Sequence, residues 1–133
     1  MQRARLAGLS FFAGLPDAEL DAVSLVTRER AFAPGDALTE QGAFGHALFV
    51  LESGTAEVST DGVVIYSAGP GDVIGEMAAL STGRRTASVT ATSEVRALEI
   101  FKRDLWDLEG TAPEVSARFR EVIAQRQSQN AAR

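Results

Sequence analysis

Fifteen residues near the middle of the chain, Gly75-Glu76-Met77-Ala78-Ala79-Leu80-Ser81-Thr82-Gly83-Arg84-Arg85-Thr86-Ala87-Ser88-Val89, bring three kinds of group close together. The run after Glu76 favours a short helical turn, whose free backbone N–H groups attract an anion. Arg85 offers a planar fork that matches phosphate oxygens. Glu76 offers a carboxylate that accepts hydrogen bonds from sugar hydroxyls. The chemistry this set suits is the grip of a ribose and its phosphate.

Each residue has a role and a competing one. Gly75 suits a sharp turn or a close approach of backbone to ligand. Glu76 is assigned to the ribose 2′-hydroxyl; as a plain helix-start carboxylate it would gain only from the macrodipole. Met77 and Ala78 act through their backbone N–H groups, while Met77 can also pack in a core. Strand alternation separates the two arginines. Arg85, Ala87 and Val89 share one face, and Arg84, Thr86 and Ser88 share the other. Val89 wants the core, so Arg85 points inward, where a charge needs a partner. At ~4 Å and an effective dielectric near 20, a phosphate is worth about 4 kcal/mol to it before desolvation. A surface salt bridge would be worth under about 1 kcal/mol.

These residues need a frame. Residues 5–24 read as helical, broken at Gly14-Leu15-Pro16, with Asp17 able to cap the second segment and Leu20 and Val23 on one face. From about Leu25 to Phe101 short alternating segments are separated by turn signals, the mark of an all-β barrel or sandwich. Pro34-Gly35-Asp36, Gln41-Gly42 and Gly69-Pro70-Gly71-Asp72 are turns. Ala47-Leu48-Phe49-Val50-Leu51 is a buried strand. Asp61-Gly62 joins Thr55–Thr60 to Val63–Ser67 as a type I′ hairpin. Residues 102–109 and 113–128 read as helices, with Pro113 in the first turn of the second. Val115, Phe119, Val122 and Ile123 make its apolar stripe. Trp106 is expected to pack the preceding helix against the strands, and His46 reads as a loop residue.

Gly75-Glu76 followed by Arg85-Thr86-Ala87-Ser88-Val89 resembles the phosphate-binding cassette of the cyclic-nucleotide-binding domain family. The loop length is most similar to that in cyclic-nucleotide-regulated ion channels, including prokaryotic potassium channels and the hyperpolarization-activated type. Gln41-Gly42, Leu48-Phe49-Val50-Leu51, Gly54, Glu57-Val58 and Gly69-Pro70-Gly71-Asp72 support the resemblance over nearly the whole chain. His46 stands where most members have aspartate, and Ile74 where most have phenylalanine. The resemblance implies a mainly β fold with flanking helices: a jelly-roll-type β-roll (double-stranded β-helix). Residues 1–133 then form a single domain, with N-terminal helices over 1–24, the roll with its cassette over 25–101, and hinge and lid helices over 102–128. The ligand implied is cAMP or cGMP, held by Gly75, Glu76, Met77, Ala78, Arg85, Thr86, Ala87 and Arg126. Thr86 touches phosphate in channel members, whereas strict alternation would turn it away from Arg85. Arg126 lies eleven residues after Val115, on the apolar stripe of the last helix. The channel relatives place an arginine there against the base; the alternative is an exposed arginine at a fraying end.

Composition excludes much else. The chain has 133 residues, enough for a real core, and a net charge of −5, which disfavours broad nucleic-acid binding. It has no cysteine, hence no disulfide or thiolate site, and its single histidine supplies neither a metal cluster nor a Ser/His/Asp set in quantity. No segment reads as a signal peptide or is apolar enough to cross a bilayer. The expectation is a non-enzymatic, cytoplasmic regulatory module without cofactor or metal, standing alone or as the cytosolic part of a membrane protein. Its partners would be the nucleotide and an effector domain in the same or another chain, without direct nucleic-acid contact or membrane insertion. The alternatives are the sensor part of a catabolite-activator-like transcription regulator, and a roll that has lost its ligand and only docks. A phosphodiesterase is disfavoured by the single histidine.

Overall fold

Period-two alternation along the middle of the chain makes strands with two different faces, and the molecule uses both. The computed structural model describes residues 3–43, 45–75 and 87–131. The chain opens with α1 (Arg3–Ala7), a 3-10 turn at Ser10–Phe12 and α2 (Asp17–Val26). Among the described residues eight strands follow: β1 (Thr27–Phe32), β2 (Ala37–Thr39), β3 (Ala47–Ser53), β4 (Ala56–Thr60), β5 (Val63–Ala68), β6 (Val73–Ile74), β7 (Ser88–Ala91) and β8 (Val95–Phe101). Two helices close it, α3 (Lys102–Thr111) and α4 (Pro113–Ala131), the latter passing the expected end at residue 128.

The strands form two four-stranded antiparallel sheets, in the orders β1-β8-β3-β6 and β2-β7-β4-β5. This is the expected jelly-roll. Turn chemistry drives much of it. Asp61 and Gly62 both take positive φ, 53° and 79°, between paired strands β4 and β5, as a type I′ hairpin requires. The two Pro-Gly-Asp segments form the same turn twice. In each, the aspartate N–H returns to a carbonyl three residues back, and its carboxylate accepts that same residue's N–H (Ala33 in one, Gly69 in the other, 2.8 and 2.7 Å).

The sheet containing β3 and β8 separates two apolar clusters. Leu48, Val50, Leu98 and Ile100 face the helices and join Leu6, Phe12, Val23, Leu105, Leu108, Val115 and Phe119. Phe49, Leu51, Val95 and Ala97 face the roll and join Phe32, Val58, Ile74 and Val89. Each fully buried large apolar side chain contributes about 1.5–3 kcal/mol.

Polar ties fix the helices to this frame. Arg5 of α1 grips Glu52 with two hydrogen bonds, 3.0 and 2.5 Å, and also pairs with Glu29. The bonds to Glu52 and then Glu29 raise its pKa further. Glu19 of α2 is buried, and its Oε1 accepts the N–H groups of Glu114 and Val115, 2.9 and 3.0 Å, in the first turn of α4. Arg118 of α4 donates to the Phe11 carbonyl at 2.8 Å, and the Phe11 and Phe119 rings lie 4.6 Å apart.

Two expectations fail locally. Pro16, not Asp17, stands at the N-cap of α2; its fixed φ of −58° already presets the start, and Asp17 is the first helical residue. Trp106 does not pack against the strands. It is 58% exposed, because Leu105 and Leu108 carry the buried face of α3.

Candidate functional site

The cassette is framed by strands that lie in different sheets. On its N-terminal side, β6 pairs with β3, with Val50 opposite Val73 and Phe49 opposite Ile74. The turn before it is pinned by Gly71 N–H to the Leu51 carbonyl, 2.7 Å, and by Leu51 N–H to the Asp72 carbonyl, 2.9 Å. On its C-terminal side, β7 pairs with β2 and β4. The segment from Gly75 to Ala87 therefore carries the chain from one wall of the roll to the other.

Gly75 follows β6 directly with φ of 82°. That left-handed backbone accounts for glycine here: a residue with a Cβ adopts it at a cost of roughly 1 kcal/mol or more. Ala87 is half-buried against the roll cluster, and Val89, two residues on, is 3% exposed in it. The alternation expected for this strand thus holds at Ala87, Val89 and Ala91, all on the roll side. Glu76, Met77, Ala78, Arg85 and Thr86 lie outside the described residues. Arg126 falls within α4, but its side chain is outside the description, so its expected contact with a base stands as an expectation.

Supports that the sequence did not announce hold the far end of the cassette. Thr39 Oγ1 donates to the Ala87 carbonyl at 3.0 Å, and Gln41 N–H donates to Ser88 Oγ at 2.9 Å. The Gln41 amide is clasped to the hairpin tip: its Nε2 donates to Asp61 Oδ1, 2.9 Å, and its Oε1 accepts Asp61 N–H, 2.8 Å. One loop thus ties β2, the β4–β5 hairpin and the start of β7 together. Gln41-Gly42 read only as a turn; the contacts span 20 and 47 positions, beyond any local signal.

A charged pair lies on the roll side of the first sheet. Glu99 is directly opposite Phe49 in register, and Phe49 is directly opposite Ile74, so the three share one face. Glu99 is 8% exposed and accepts a hydrogen bond from Arg30 Nη1 at 2.9 Å, while the Arg30 guanidinium sits 5.2 Å from the Phe32 ring centroid. Burial of that carboxylate is thereby compensated. Among the described residues there is no cluster of three or more His, Cys, Asp or Glu able to hold a metal ion.

Comparison with known proteins places this arrangement. Residues 29–110, more than half of the chain, match the cyclic nucleotide-binding domain family. The chain belongs to that family. It is 36% identical over 96 residues to a cAMP-dependent protein kinase regulatory subunit of Hypocrea atroviridis, covering 69% of this chain and 21% of the relative. It is 28% identical over 121 residues to a cyclic nucleotide-gated potassium channel of Rhizobium etli, covering 91% and 34%. The catabolite activator protein of Thermus thermophilus superposes with a TM-score of 0.81 at 28% identity, over 92% of this chain and 60% of that one. The chain therefore spans less than two thirds of each of these proteins.

Proposed function

We propose that the chain is a non-catalytic regulatory module that binds cAMP or cGMP inside the roll and signals through movement of α4. The observation that carries this reading is the framing of the cassette: Gly75 and Ala87 are fixed on opposite sheets, and the family match runs through both. Glu76 holds the ribose hydroxyl, the N–H groups of Met77 and Ala78 and the Arg85 guanidinium hold the phosphate, Thr86 and Ala87 flank it, and Arg126 stacks on the base. No cofactor or metal takes part. The ligand shifts α4 only by as much as it binds one position of that helix better than the other. An effector domain in the same or a partner chain feels the shift. The module works in the cytoplasm, without direct nucleic-acid or membrane contact; among the described residues no helix is long and apolar enough to cross a membrane.

A second reading has one observation in its favour: the superposition on the catabolite activator protein, which exceeds this chain in length. There the same roll would serve as the sensor part of a transcription regulator. Both readings require nucleotide binding. Calorimetric titration with cAMP and with cGMP is the test. A saturable one-to-one isotherm with either supports it, with no turnover of the nucleotide. Absence of heat and of thermal stabilisation with both leaves a roll that only docks.

A further inference from the structure

A concavity of about 320 Å3 opens where β8 runs into α3, lined by His46, Phe101, Lys102, Arg103 and Trp106. Phe101 and Trp106 give it aromatic surface, and Lys102 and Arg103 give it positive charge. The guanidinium of Arg28 lies 5.0 Å from the Phe101 ring centroid, and that of Arg103 lies 5.9 Å from it. The Lys102 ammonium lies 5.4 Å from the Trp106 ring. Three other arginines pair with carboxylates: Arg5 with Glu52 and Glu29, Arg30 with Glu99, Arg120 with Glu109. Among the described residues, Arg28, Lys102 and Arg103 pair with no carboxylate. The chain carries −5 overall, so two unpaired cations lining one hollow, with a third against its Phe101 ring, run against its sign.

A cation stacked on a ring keeps N–H donors free at its edge. Such donors accept carboxylates while a side chain fills the hollow between the rings. The cations belong to separate elements, β1 and α3, and sit against two different rings, Arg28 and Arg103 at Phe101 and Lys102 at Trp106. Carboxylates spaced along an extended segment match that layout better than one phosphate does. A membrane surface would call for a protruding apolar face rather than a hollow. We propose that this concavity docks an acidic peptide segment of a partner chain, with a leucine or aromatic side chain seated between Phe101 and Trp106 and its neighbouring carboxylates on Arg28, Lys102 and Arg103. The site does not depend on nucleotide binding in the roll.

Trp106 is the chain's single tryptophan, so its emission reports this site directly. The probe is a capped peptide, Glu-Glu-Asp-Leu-Phe-Asp-Glu-Glu-Gly, titrated into the whole chain at low and high salt. A saturable change in Trp106 emission, weakened by salt, is expected. Lys102→Glu combined with Arg103→Glu weakens it by at least about tenfold, and Arg28→Glu, on another element, weakens it independently. Melting temperature and affinity for a fluorescent cyclic nucleotide show that the variants fold. A peptide with lysine at every acidic position gives no change, and neither do vesicles of 7:3 phosphatidylcholine and phosphatidylserine. No saturable change with the acidic peptide, equal binding by folded charge-reversed chains, or a response to the vesicles in place of the peptide overturns the proposal.

Discussion

The two faces of the β1-β8-β3-β6 sheet support cores of different construction. Toward the roll, the cluster includes four alanines, Ala56, Ala68, Ala91 and Ala97, among valines and single larger side chains, and the elements are joined by strand ladders. Toward the helices, the cluster is built from leucine, valine, isoleucine and phenylalanine with a single buried alanine, Ala112. There the elements meet by side-chain packing and a few polar ties: Arg5 to Glu52, Glu19 to α4, Arg118 to Phe11. Ladders move as units, whereas packed helices slide by small steps. The difference teaches which half suits a fixed ligand cradle and which suits a moving reporter. β3 belongs to both, since Leu48 and Phe49 are neighbours in sequence and face opposite cores.

Four sets of substitutions break or sharpen that contrast. Arg85→Ala is expected to remove about 2–5 kcal/mol of ligand affinity, roughly thirtyfold to several thousandfold, while urea unfolding without ligand stays nearly unchanged. An unaltered calorimetric affinity would remove Arg85 from the phosphate site. Leu51→Ala and Leu48→Ala each cost about 3 kcal/mol of stability. Only Leu51→Ala, on the roll side, should also lower nucleotide affinity in the folded protein; equal effects on affinity would erase the distinction between the faces. Glu19→Ala leaves two N–H groups of α4 without their acceptor and is expected to cost about 2 kcal/mol. Glu19→Gln keeps an acceptor and costs less, as urea midpoints would record. Arg30→Ala is expected to cost under about 1 kcal/mol, since its side chain is 46% exposed, even though Glu99 is buried. A double-mutant cycle with Glu99→Gln measures the pair; a coupling well above 1 kcal/mol would mark it as part of the roll's core.

Local chemistry carried most of what could be read in advance. Asp61-Gly62 and the two Pro-Gly-Asp turns specify their own dihedrals, so the hairpin and both turns stand where the sequence placed them. The alternating apolar residues of β3 and β8 marked buried strands, though not that each strand serves two cores. The cassette was legible as an ordered set of residues and through its resemblance to a family. Its props, Thr39 and Gln41, were not, because their partners lie 48 and 47 positions away. The hidden cap was harder still: Glu19 reads as an ordinary acid in the first turn of α2, yet its carboxylate serves a helix 95 positions later. Trp106 misled because size argues for burial, while the helical phase of Leu105 and Leu108 left it outside.

The Glu19 carboxylate also sets the smallest piece of this chain that can be handled intact. Trimming to the 29–110 stretch that matches the family would discard α1, α2 and α4 together and leave Leu48, Val50, Leu98 and Ile100 with only Leu105 and Leu108 of α3 to cover them. A fragment cut that way would trade most of its helical half for a sticky plane, so an expression boundary belongs before α1 and beyond α4, with both helical ends kept as one fastening.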